Sequence, residues 1–219
     1  HTTARRQRQM CIRDRYSPLL NEEGGILDDL IVYHLGNENF RIISNCGTRE
    51  QNYACFQKVA SEFDVQIDFK SDASIIALQG PNSMKNLSSL YDIKLEKFHL
   101  YQDEEVMIAR TGYTGELGVE IISDANKGLE IWNYFILKGI QPIGLAARDT
   151  LRLEAGFNLY GSDMTVENNP YDSNLEWTVD QSEQDRDYIG KKALKHLQDT
   201  KNRLVGFYTD ARGVLRSGT

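Results

Sequence analysis

Hydrophobic and polar residues follow one another in short blocks along the first part of the chain, and these blocks predict strands. Residues Ile26–Tyr33 are apolar around the acidic pair Asp28-Asp29, directly after the turn signal Gly24-Gly25. A second apolar block, Asn39–Asn45, follows after Gly36-Asn37. Because glycine and asparagine favour tight turns between strands, these two blocks predict a β-hairpin.

Helical spacing of apolar residues appears further along the chain. Thr48 followed by Gln51 fits a capping box, and the residues behind it repeat at helical spacing at Tyr53, Phe56, Val59, Ala60 and Phe63. Three more helices are predicted at Asn82–Leu90, Asn126–Lys138 and Leu145–Ala155. The pattern of Asn126–Lys138 predicts an inward face made of Leu129, Trp132, Phe135 and Ile136, and glycines at 139 and 156 favour helix ends.

The remaining blocks complete an α+β pattern. Further strands are predicted at Val65–Phe69, Ser74–Gln79, Glu105–Arg110, residues 119–122, Trp177–Val179 and Arg203–Tyr208. Asp187–Gln198 predicts a loop and then a helix. Strands and helices do not alternate in a strict βαβ rhythm, so we expect antiparallel or mixed sheets with flanking helices.

Composition narrows the classes of partner. The chain has 219 residues, a net charge of −7, 40% hydrophobic residues and 26% charged residues, which is typical of a globular protein with a real core. The negative charge argues against a nucleic acid or a membrane surface as the main partner. Since no apolar run approaches the length of a membrane span, we expect no membrane partner.

Cysteines and histidines give no metal or disulfide pattern. The three cysteines, Cys11, Cys46 and Cys55, have neither metal-site spacing nor an even number for a disulfide framework, which favours a reduced intracellular setting. The four histidines are scattered, without a His-x-x-x-His pair. We therefore expect no metal.

The first fifteen residues differ from the rest in charge. Residues 1–15 carry five arginines and one aspartate, a net charge of +4, which leaves −11 for the remaining chain. An arginine-rich segment poor in acids fits a mitochondrial transit peptide, and a basic arm could bind nucleic acid. We favour a third interpretation, a non-native segment of translated adapter sequence, because it joins abruptly at Tyr16-Ser17.

An acidic pair and a glycine-rich segment are candidates for a functional site. Neighbouring side chains of a strand face opposite sides, so one of Asp28 and Asp29 can point inward, and a buried carboxylate needs a partner or a ligand. Glycines 112, 115 and 118 would allow the backbone to approach a ligand closely. Both features also fit ordinary structure, namely two acids near a turn and a plain hairpin turn.

Arginines and aromatic residues supply the other candidates. Tyr113 could stack on a flat ring, or it could belong to the core. Arg148 and Arg152 lie one helical turn apart, which fits a salt-bridged helix face, although arginine also suits a planar carboxylate. Tyr160 and Trp177 are isolated aromatics for which a core position is the default. No convincing Ser-His-Asp or Cys-His set exists in the sequence, so positioning and electrostatics are the expected catalytic devices.

The order of several motifs resembles one known family. The motifs are Tyr16-Ser17, Gly24–Tyr33, Gln79-Gly80-Pro81, Gly112-Tyr113-Thr114-Gly115-Glu116, Gly118–Ile121, Gly144–Gly156, Asn158–Gly161 and Asp187–Lys191. Together they resemble the aminomethyltransferase family, the T-protein of the glycine cleavage system, from about Tyr16 to Arg216. The fold implied is a folate-binding T-protein-like core followed by a C-terminal β-barrel.

The resemblance implies a transferase of one-carbon metabolism. The family transfers the one-carbon unit of an aminomethyl group, carried on the lipoyl arm of H-protein, to tetrahydrofolate, and ammonia is released. The implied co-substrate is tetrahydrofolate and the implied partner is lipoylated H-protein. The location implied is the cytoplasm for a bacterial protein, which we favour, or the mitochondrial matrix for a eukaryotic one.

The resemblance also implies which residues form the site, since residues of this chain match functional positions of the family. Asp29 matches the essential aspartate near the reacting edge of the pterin, where it would orient folate and support N5 electrostatically. Glu120 and Arg148 match folate-contacting positions, and Glu120 would suit the pterin's N–H donors. Further pocket-lining positions are matched by Tyr16, Tyr33, Asn45, Tyr113 and Trp177.

The sequence departs from the family at both ends. The early part of the first domain has no counterpart before Tyr16, and Gly213–Arg216 would open the C-terminal barrel, whose further family arginine has no counterpart here. We therefore expect a non-native segment at 1–15, an incomplete folate-binding core at 16–200 and the beginning of the barrel at 201–219. Such a fragment could be inactive.

Two other functions share the implied fold. One is a folate-dependent demethylase, or the folate domain of a sarcosine or dimethylglycine dehydrogenase, which would need a flavin-binding domain upstream. The other is a non-catalytic folate-binding factor of iron–sulfur assembly, whose Lys-Gly-Cys-Tyr-x-Gly-Gln signature is missing from these residues.

Overall fold

Two antiparallel sheets and a set of flanking helices form the domain, which confirms the α+β prediction. The computed structural model describes residues 9–10, 14–96, 99–180, 182, 185–199 and 202–210. The strands are β1 Gln9–Met10, β2 Asp14–Leu20, β3 Ile26–Gly36, β4 Asn39–Ser44, β5 Ala73–Gln79, β6 Leu100–Gln102, β7 Val106–Ala109 and β8 Gly118–Asp124. The helices are α1 Arg49–Ala60, α2 Ser83–Ser88, α3 Ala125–Leu137, α4 Leu145–Glu154 and α5 Lys191–Leu194, with 3-10 turns at Cys46–Thr48 and Glu176–Thr178.

The larger sheet has helices on one face and the smaller sheet on the other. Within the described residues it has five strands in the order β1-β6-β7-β8-β5, with antiparallel pairing throughout. Side chains of β8 alternate between the two faces. Val119 and Ile121 pack with Ile131 and Phe135 of α3, whereas Ile122 joins the core that faces the smaller sheet.

The smaller sheet positions the acidic pair. Its strands run in the order β2-β3-β4 within the described chain, and Asp28 and Asp29 lie in β3 opposite Leu19 and Pro18 of β2. The predicted hairpin between β3 and β4 is confirmed. Its turn residues Asn37 and Glu38 have positive φ values of 49° and 62°, as tight hairpin turns require.

A third cluster closes the outer end of β2 and β3. Leu20 and Ile26 pack there against Met164, Leu175 and Leu194, which come from the mostly irregular segment between α4 and the end of α5. The contact is close at Gly25, because a side-chain Cβ there would lie 2.2 Å from the carbonyl oxygen of Val166. Only glycine fits this approach.

Three of the predicted strands are wrong. Residues Val65–Phe69 and Arg203–Tyr208 form no strand, and Trp177–Val179 overlaps the 3-10 turn Glu176–Thr178. The alternation of apolar residues is present in the first of these, but Val65 and Phe69 are 61% and 47% exposed. An alternating segment becomes a strand only when a neighbouring strand accepts its backbone hydrogen bonds, and no described strand does so here.

The start of α1 differs from the predicted capping box. Thr48 is the N-cap residue, but its side chain makes no capping hydrogen bond and instead donates to Asp28 Oδ2 at 2.6 Å. The one residue of α1 that is buried is the polar Asn52. Phe63 lies beyond the end of the helix and is 63% exposed. The helix is thus held by polar contacts to β3 rather than by the predicted apolar face.

Helix α3 is confirmed, but its predicted inward face is wrong except at Phe135. The buried residues are Gly128, Ile131 and Phe135, whereas Leu129, Trp132 and Ile136 are exposed by 40% or more. Gly128 explains the difference, because a Cβ there would lie 2.1 Å from Ser74 Oγ of β5. This close approach of helix to sheet sets the rotation of α3 and turns Leu129 and Trp132 outward.

The non-native segment predicted at 1–15 and the barrel segment predicted at 201–219 stay predictions. Gln9 and Met10 pair with Tyr101 and Leu100, and Asp14 and Arg15 pair within β2–β3. The expected barrel segment 201–219 lies partly outside the described residues. Among the helices that the structure describes, none has the length and apolar character needed to cross a membrane.

The rotation of α3 gives a direct test of the fold. We expect Ile131→Ala to lower the free energy of unfolding by about 2–5 kcal/mol, because it opens a cavity against β8. Leu129→Ala removes the same kind of side chain from an exposed position and should change it by no more than about 0.5 kcal/mol. Urea unfolding of both variants measures the difference. Equal losses would contradict the observed setting of the helix.

Candidate active site

The two adjacent carboxyl groups of β3 have different surroundings. Asp28 is fully buried, whereas Asp29 is half-buried. Three side chains donate hydrogen bonds to Asp28: Asn45 to Oδ1 at 2.7 Å, Thr48 to Oδ2 at 2.6 Å, and Asn52 to the same Oδ2. Asp29 remains oriented toward the accessible side of the sheet.

Asn45 connects the two carboxyl groups. Its side-chain amide nitrogen lies 2.7 Å from Asp28 Oδ1 and 2.8 Å from Asp29 Oδ1. An amide nitrogen carries two hydrogens, so each carboxyl group accepts one of them. Asn45 follows β4 immediately and precedes the 3-10 turn Cys46–Thr48, which places it beside β3. The end of β4 thus fixes both acids at once.

Burial and charge raise the pKa of Asp29 above its ordinary value. Desolvation is the largest cause, and the negative charge of Asp28 adds to it. Hydrogen bonds from Asn45 and Tyr16 act in the opposite direction, because they favour the charged form. Burial also raises the pKa of the Tyr16 hydroxyl, and the adjacent Asp29 raises it further. Tyr16 therefore stays a neutral donor to Asp29.

An aromatic pair lies next to this carboxyl group. The rings of Tyr16 and Trp177 stack with centroids 5.8 Å apart and an interplanar angle of 25°. Trp177 is 67% exposed, so it is not the core residue that the sequence suggested by default. An exposed indole stacked on a half-buried tyrosine offers a flat apolar surface to a ligand ring.

Gln79 shapes the glycine loop between β7 and β8. Its side-chain nitrogen donates to the carbonyl oxygens of Thr111 and Val119, both at 3.1 Å, and its side-chain oxygen accepts from Thr114 at 3.2 Å. A Cβ at Gly112 or Gly118 would lie within 2.1–2.6 Å of this amide. These two glycines therefore admit the Gln79 side chain rather than a ligand, and Gln79 clamps both ends of the loop.

Tyr113 of the glycine loop and Arg148 of α4 are in contact. The guanidinium carbon of Arg148 lies 4.8 Å from the centroid of the Tyr113 ring, and Phe157 stacks on the same ring at 5.9 Å. Burial raises the pKa of Tyr113 to about 12, with Arg152 and Arg148 lowering it and Asp29 raising it. The influence of Asp29 places Tyr113 within electrostatic reach of the β3 acids.

The two arginines of α4 have different environments. Arg152 is buried and pairs with Asp149 at 2.7 Å and with Asp163, and it also donates to the carbonyl oxygen of Phe157. The salt-bridged helix face considered from the sequence therefore applies to Arg152. Arg148 is exposed and has no ion pair with any described residue, so its guanidinium is available to an anionic ligand.

Glu120 is the final acceptor of a short chain of hydrogen bonds from two hydroxyl groups. Thr111 Oγ1 donates to Glu120 Oε2 at 2.5 Å, and the Tyr33 hydroxyl lies 3.2 Å from Thr111 Oγ1. Because the hydrogen of Thr111 goes to the carboxylate, Tyr33 acts as donor to Thr111. Tyr33 is 1% exposed, so it supports Glu120 from inside the protein.

The structure brings most of the sequence-predicted residues into two linked groups. One is the β3 group of Asp29, Asn45, Tyr16 and Trp177, and the other is Tyr113 with Arg148. Glu120 and Tyr33 form a separate pair joined by Thr111. Sequence reasoning missed Thr111 and Asn52, because single polar residues in a loop or a helix give no pattern, and it gave Thr48 only the role of a helix cap. Tyr160 packs against the third core cluster, in agreement with the core position expected from the sequence.

The described residues contain no group of three or more His, Cys, Asp or Glu side chains suited to a metal ion. A cavity of about 380 Å³ lies beside α1, lined by Tyr53, Gln57, Val65 and Ile67 among others. It shares no lining residue with the groups above, and it brings together no charged side chains. We therefore place the candidate site at β3 and the glycine loop, where ionisable, aromatic and hydrogen-bonding groups converge.

Fold and site together define an α+β domain whose central acid is presented beside aromatic rings and an exposed arginine. Residues 2–183 match the model of the family described as GCVT N-terminal domain, and the chain belongs to that family. An aminomethyltransferase of Xanthomonas oryzae pv. oryzae is 40% identical over 96% of this chain. An aminomethyltransferase of Francisella tularensis subsp. tularensis is 42% identical over 93% of it.

A solved structure shows the same fold. The glycine cleavage system aminomethyltransferase T from Bartonella henselae superposes with a TM-score of 0.80 at 35% identity, over 85% of this chain and 53% of that chain. The chain spans about 60% of the length of the curated relatives it matches. These findings confirm the resemblance seen in the motifs and the α+β fold of the core, whereas the C-terminal barrel stays a prediction.

The raised pKa of Asp29 predicts how stability depends on pH. A folded-state pKa above the unfolded value of about 3.9 means that ionised Asp29 destabilises the fold above its folded-state pKa and that this penalty vanishes below about pH 3.9. We expect Asp29→Asn to raise the melting temperature at pH 7, with a gain that shrinks as the pH falls toward 4.

A matched control is available at Asp180, whose pKa is lowered by hydrogen bonds from Ser182. Its ionised form is favoured in the fold, so Asp180→Asn should bring no gain at pH 7. Thermal melts from pH 4 to 8 compare the two variants. A pH-independent gain for Asp29→Asn would contradict the electrostatic cause.

Proposed function

We propose that this chain is the folate-binding part of a glycine cleavage aminomethyltransferase. Such an enzyme moves the one-carbon unit from the aminomethyl-lipoyl arm of H-protein to tetrahydrofolate and releases ammonia. The observation that carries the proposal is the half-buried Asp29, held by Asn45 and Tyr16 beside an exposed aromatic surface. Membership of the GCVT N-terminal domain family and the names of the relatives support it.

Asp29 suits the central role in this reaction. Its pKa is raised by burial, so its negative charge lies in a poorly solvated site where electrostatic interactions are stronger than in water. A carboxylate there can orient the reduced pterin and stabilise positive charge that develops at N5 during attack on the one-carbon unit. Asn45 and Tyr16 each hold the group through one hydrogen bond, which limits its rotation.

Folate would be bound by Glu120 and by the aromatic residues and Arg148 of the two other groups. Glu120 would accept hydrogen bonds from the amino and ring N–H groups of the pterin through the oxygen that Thr111 leaves available. Trp177 and Tyr113 would contact flat rings, and Arg148 would bind an anionic part of the ligand in a bidentate manner. Tyr33 would act indirectly, through Thr111, because it is buried.

Substitution of the central acid tests the reaction. In a chimera in which this chain replaces the matching segment of the Bartonella henselae enzyme, we expect Asp29→Asn to reduce transfer by about a hundredfold or more. Binding of tetrahydrofolate should stay measurable, because Glu120, Arg148 and the aromatic residues remain. Transfer is assayed with aminomethylated H-protein and binding by calorimetry.

Controls separate loss of function from loss of fold. Asp180→Asn, which changes an exposed acid, should transfer at the rate of the parent chimera. Unimpaired transfer by Asp29→Asn would contradict the role of Asp29. A parent chimera that folds and binds no tetrahydrofolate would contradict the proposed function itself.

The Thr111 contact tests how Glu120 acts. We expect Thr111→Val to weaken tetrahydrofolate binding about tenfold, because a hydrogen bond to a charged group is lost while the volume is kept. Thr111→Ser keeps the hydroxyl and should bind normally. In a Glu120→Ala background Thr111→Val should cost nothing further, which a double-mutant cycle by calorimetry measures. Additive losses would contradict the link between the two residues.

A further inference from the structure

Asp28 has no role in the proposed chemistry, yet it is the most costly side chain of the site to bury. It is fully buried, and its recorded partners are the three neutral donors Asn45, Thr48 and Asn52. No described lysine, arginine or histidine forms an ion pair with it. Burial of a carboxyl group is costly unless its oxygens accept hydrogen bonds, and these three donors supply them.

The hydrogen bonds of Asp28 all end on the segment that leaves β4. Asn45 precedes the 3-10 turn, Thr48 is the N-cap of α1, and Asn52 lies one turn further along α1. Asn52 also donates to Thr48 at 3.2 Å. Asp28 thus fastens the start of α1 to the middle of β3, where the N-cap hydroxyl would otherwise be free to cap its own helix.

The same network reaches the reacting group of the proposed mechanism. Asn45 gives one amide hydrogen to Asp28 and the other to Asp29, so its rotation is fixed only while both acceptors are present. If the hydrogen bond between Asn45 and Asp28 breaks, the Asn45 amide can rotate and its second hydrogen no longer points at Asp29. The orientation of Asp29 therefore depends on contacts that no ligand touches.

We propose that Asp28 and Thr48 are positioning residues, which act through the Asn45 amide to hold the Asp29 carboxyl group in the orientation seen in the structure. The functional meaning of this relay rests on the proposed function, but the relay itself can be measured without any ligand. In addition to the pocket-lining position that the family resemblance implies, Asn45 connects Asp28 to Asp29.

Titration of Asp29 is the direct readout. The other ionisable groups that face Asp29 within the described chain are Asp28 on the same strand, Tyr16 on β2 and Tyr113 on the glycine loop, with Arg148 on the ring of Tyr113. The hydrogen bond from Asn45 lowers the pKa of Asp29, against the effect of burial. Loosening Asn45 should therefore raise the pKa of Asp29.

The experiment follows the Asp29 carboxyl carbon by NMR in the whole chain labelled with carbon-13 aspartate. The signal is assigned by its loss in Asp29→Asn. We expect Asn45→Ala to raise the pKa of Asp29 directly and Thr48→Val to raise it through Asp28. Thr48→Ser keeps the donor hydroxyl and should leave the pKa at its parental value.

A stability control and a second variant keep the test decisive. Ile131→Val shortens a core side chain on α3 that has no contact with the network, so it should lower stability and leave the Asp29 titration unchanged. Asn52→Ala removes a different donor from the same Asp28 oxygen and replaces Thr48→Val if that variant does not fold. An unchanged Asp29 pKa in every folded Thr48 and Asn52 variant would overturn the relay.

Transfer kinetics in the chimera complete the test. We expect Thr48→Val to lower kcat by roughly ten- to a hundredfold, with tetrahydrofolate affinity unchanged and the acid limb of the pH–rate profile at higher pH. Failure of the parent chimera to bind tetrahydrofolate would reject the proposed function while the NMR result still decides the relay. Normal kcat in Thr48→Val together with a shifted Asp29 pKa would overturn the positioning role.

Discussion

The site depends on one side-chain amide that satisfies two adjacent carboxyl groups. Neighbouring acids on a strand repel each other, and burying one of them adds a desolvation penalty. Asn45 offsets part of both costs, because its two amide hydrogens form hydrogen bonds of 2.7 and 2.8 Å to Asp28 and Asp29. This arrangement exists only because β4 ends at Ser44 and delivers Asn45 to the side of β3. The 3-10 turn and the start of α1 follow Asn45 directly, and Thr48 and Asn52 add their own hydrogen bonds to Asp28.

A second set of contacts holds the glycine loop and α4 in place. Gln79 at the end of β5 binds backbone carbonyls at both ends of the glycine loop, so the loop behaves as an extension of the sheet. Arg152 plays the same part for α4, since its contacts with Asp149, Asp163 and the Phe157 carbonyl fix the segment that packs on Tyr113. Arg148, an exposed group that can meet a ligand, therefore lies on a helix that the buried Arg152 holds in place.

Local patterns predicted the β3–β4 hairpin, β5, β8, α3 and α4 well, because each carries its own periodicity and its own glycine or turn signal. They failed at Val65–Phe69, where alternation lacks a partner strand, and at the face of α3, which Gly128 sets through contact with Ser74. The acids and aromatics of the candidate site were found through the resemblance of their motifs. Thr111, Thr48 and Asn52 were not, because their importance lies in hydrogen bonds between segments far apart in sequence, and such bonds leave no local pattern.

The tight contact of Gly25 with Val166 has a consequence for the order in which the protein assembles. Together with the hydrogen bond from the Ile26 nitrogen to the Asn168 carbonyl at 2.9 Å, it docks a late part of the chain onto the first residues of β3. Trp177 belongs to the same late part of the chain, and it stacks on Tyr16 of β2. Long-range closures of this kind are slow steps of folding. The hydrogen bonds of the acid pair come from residues 45–52, whereas the aromatic pair also needs Trp177, so the site is complete only when the late segment is docked on β3.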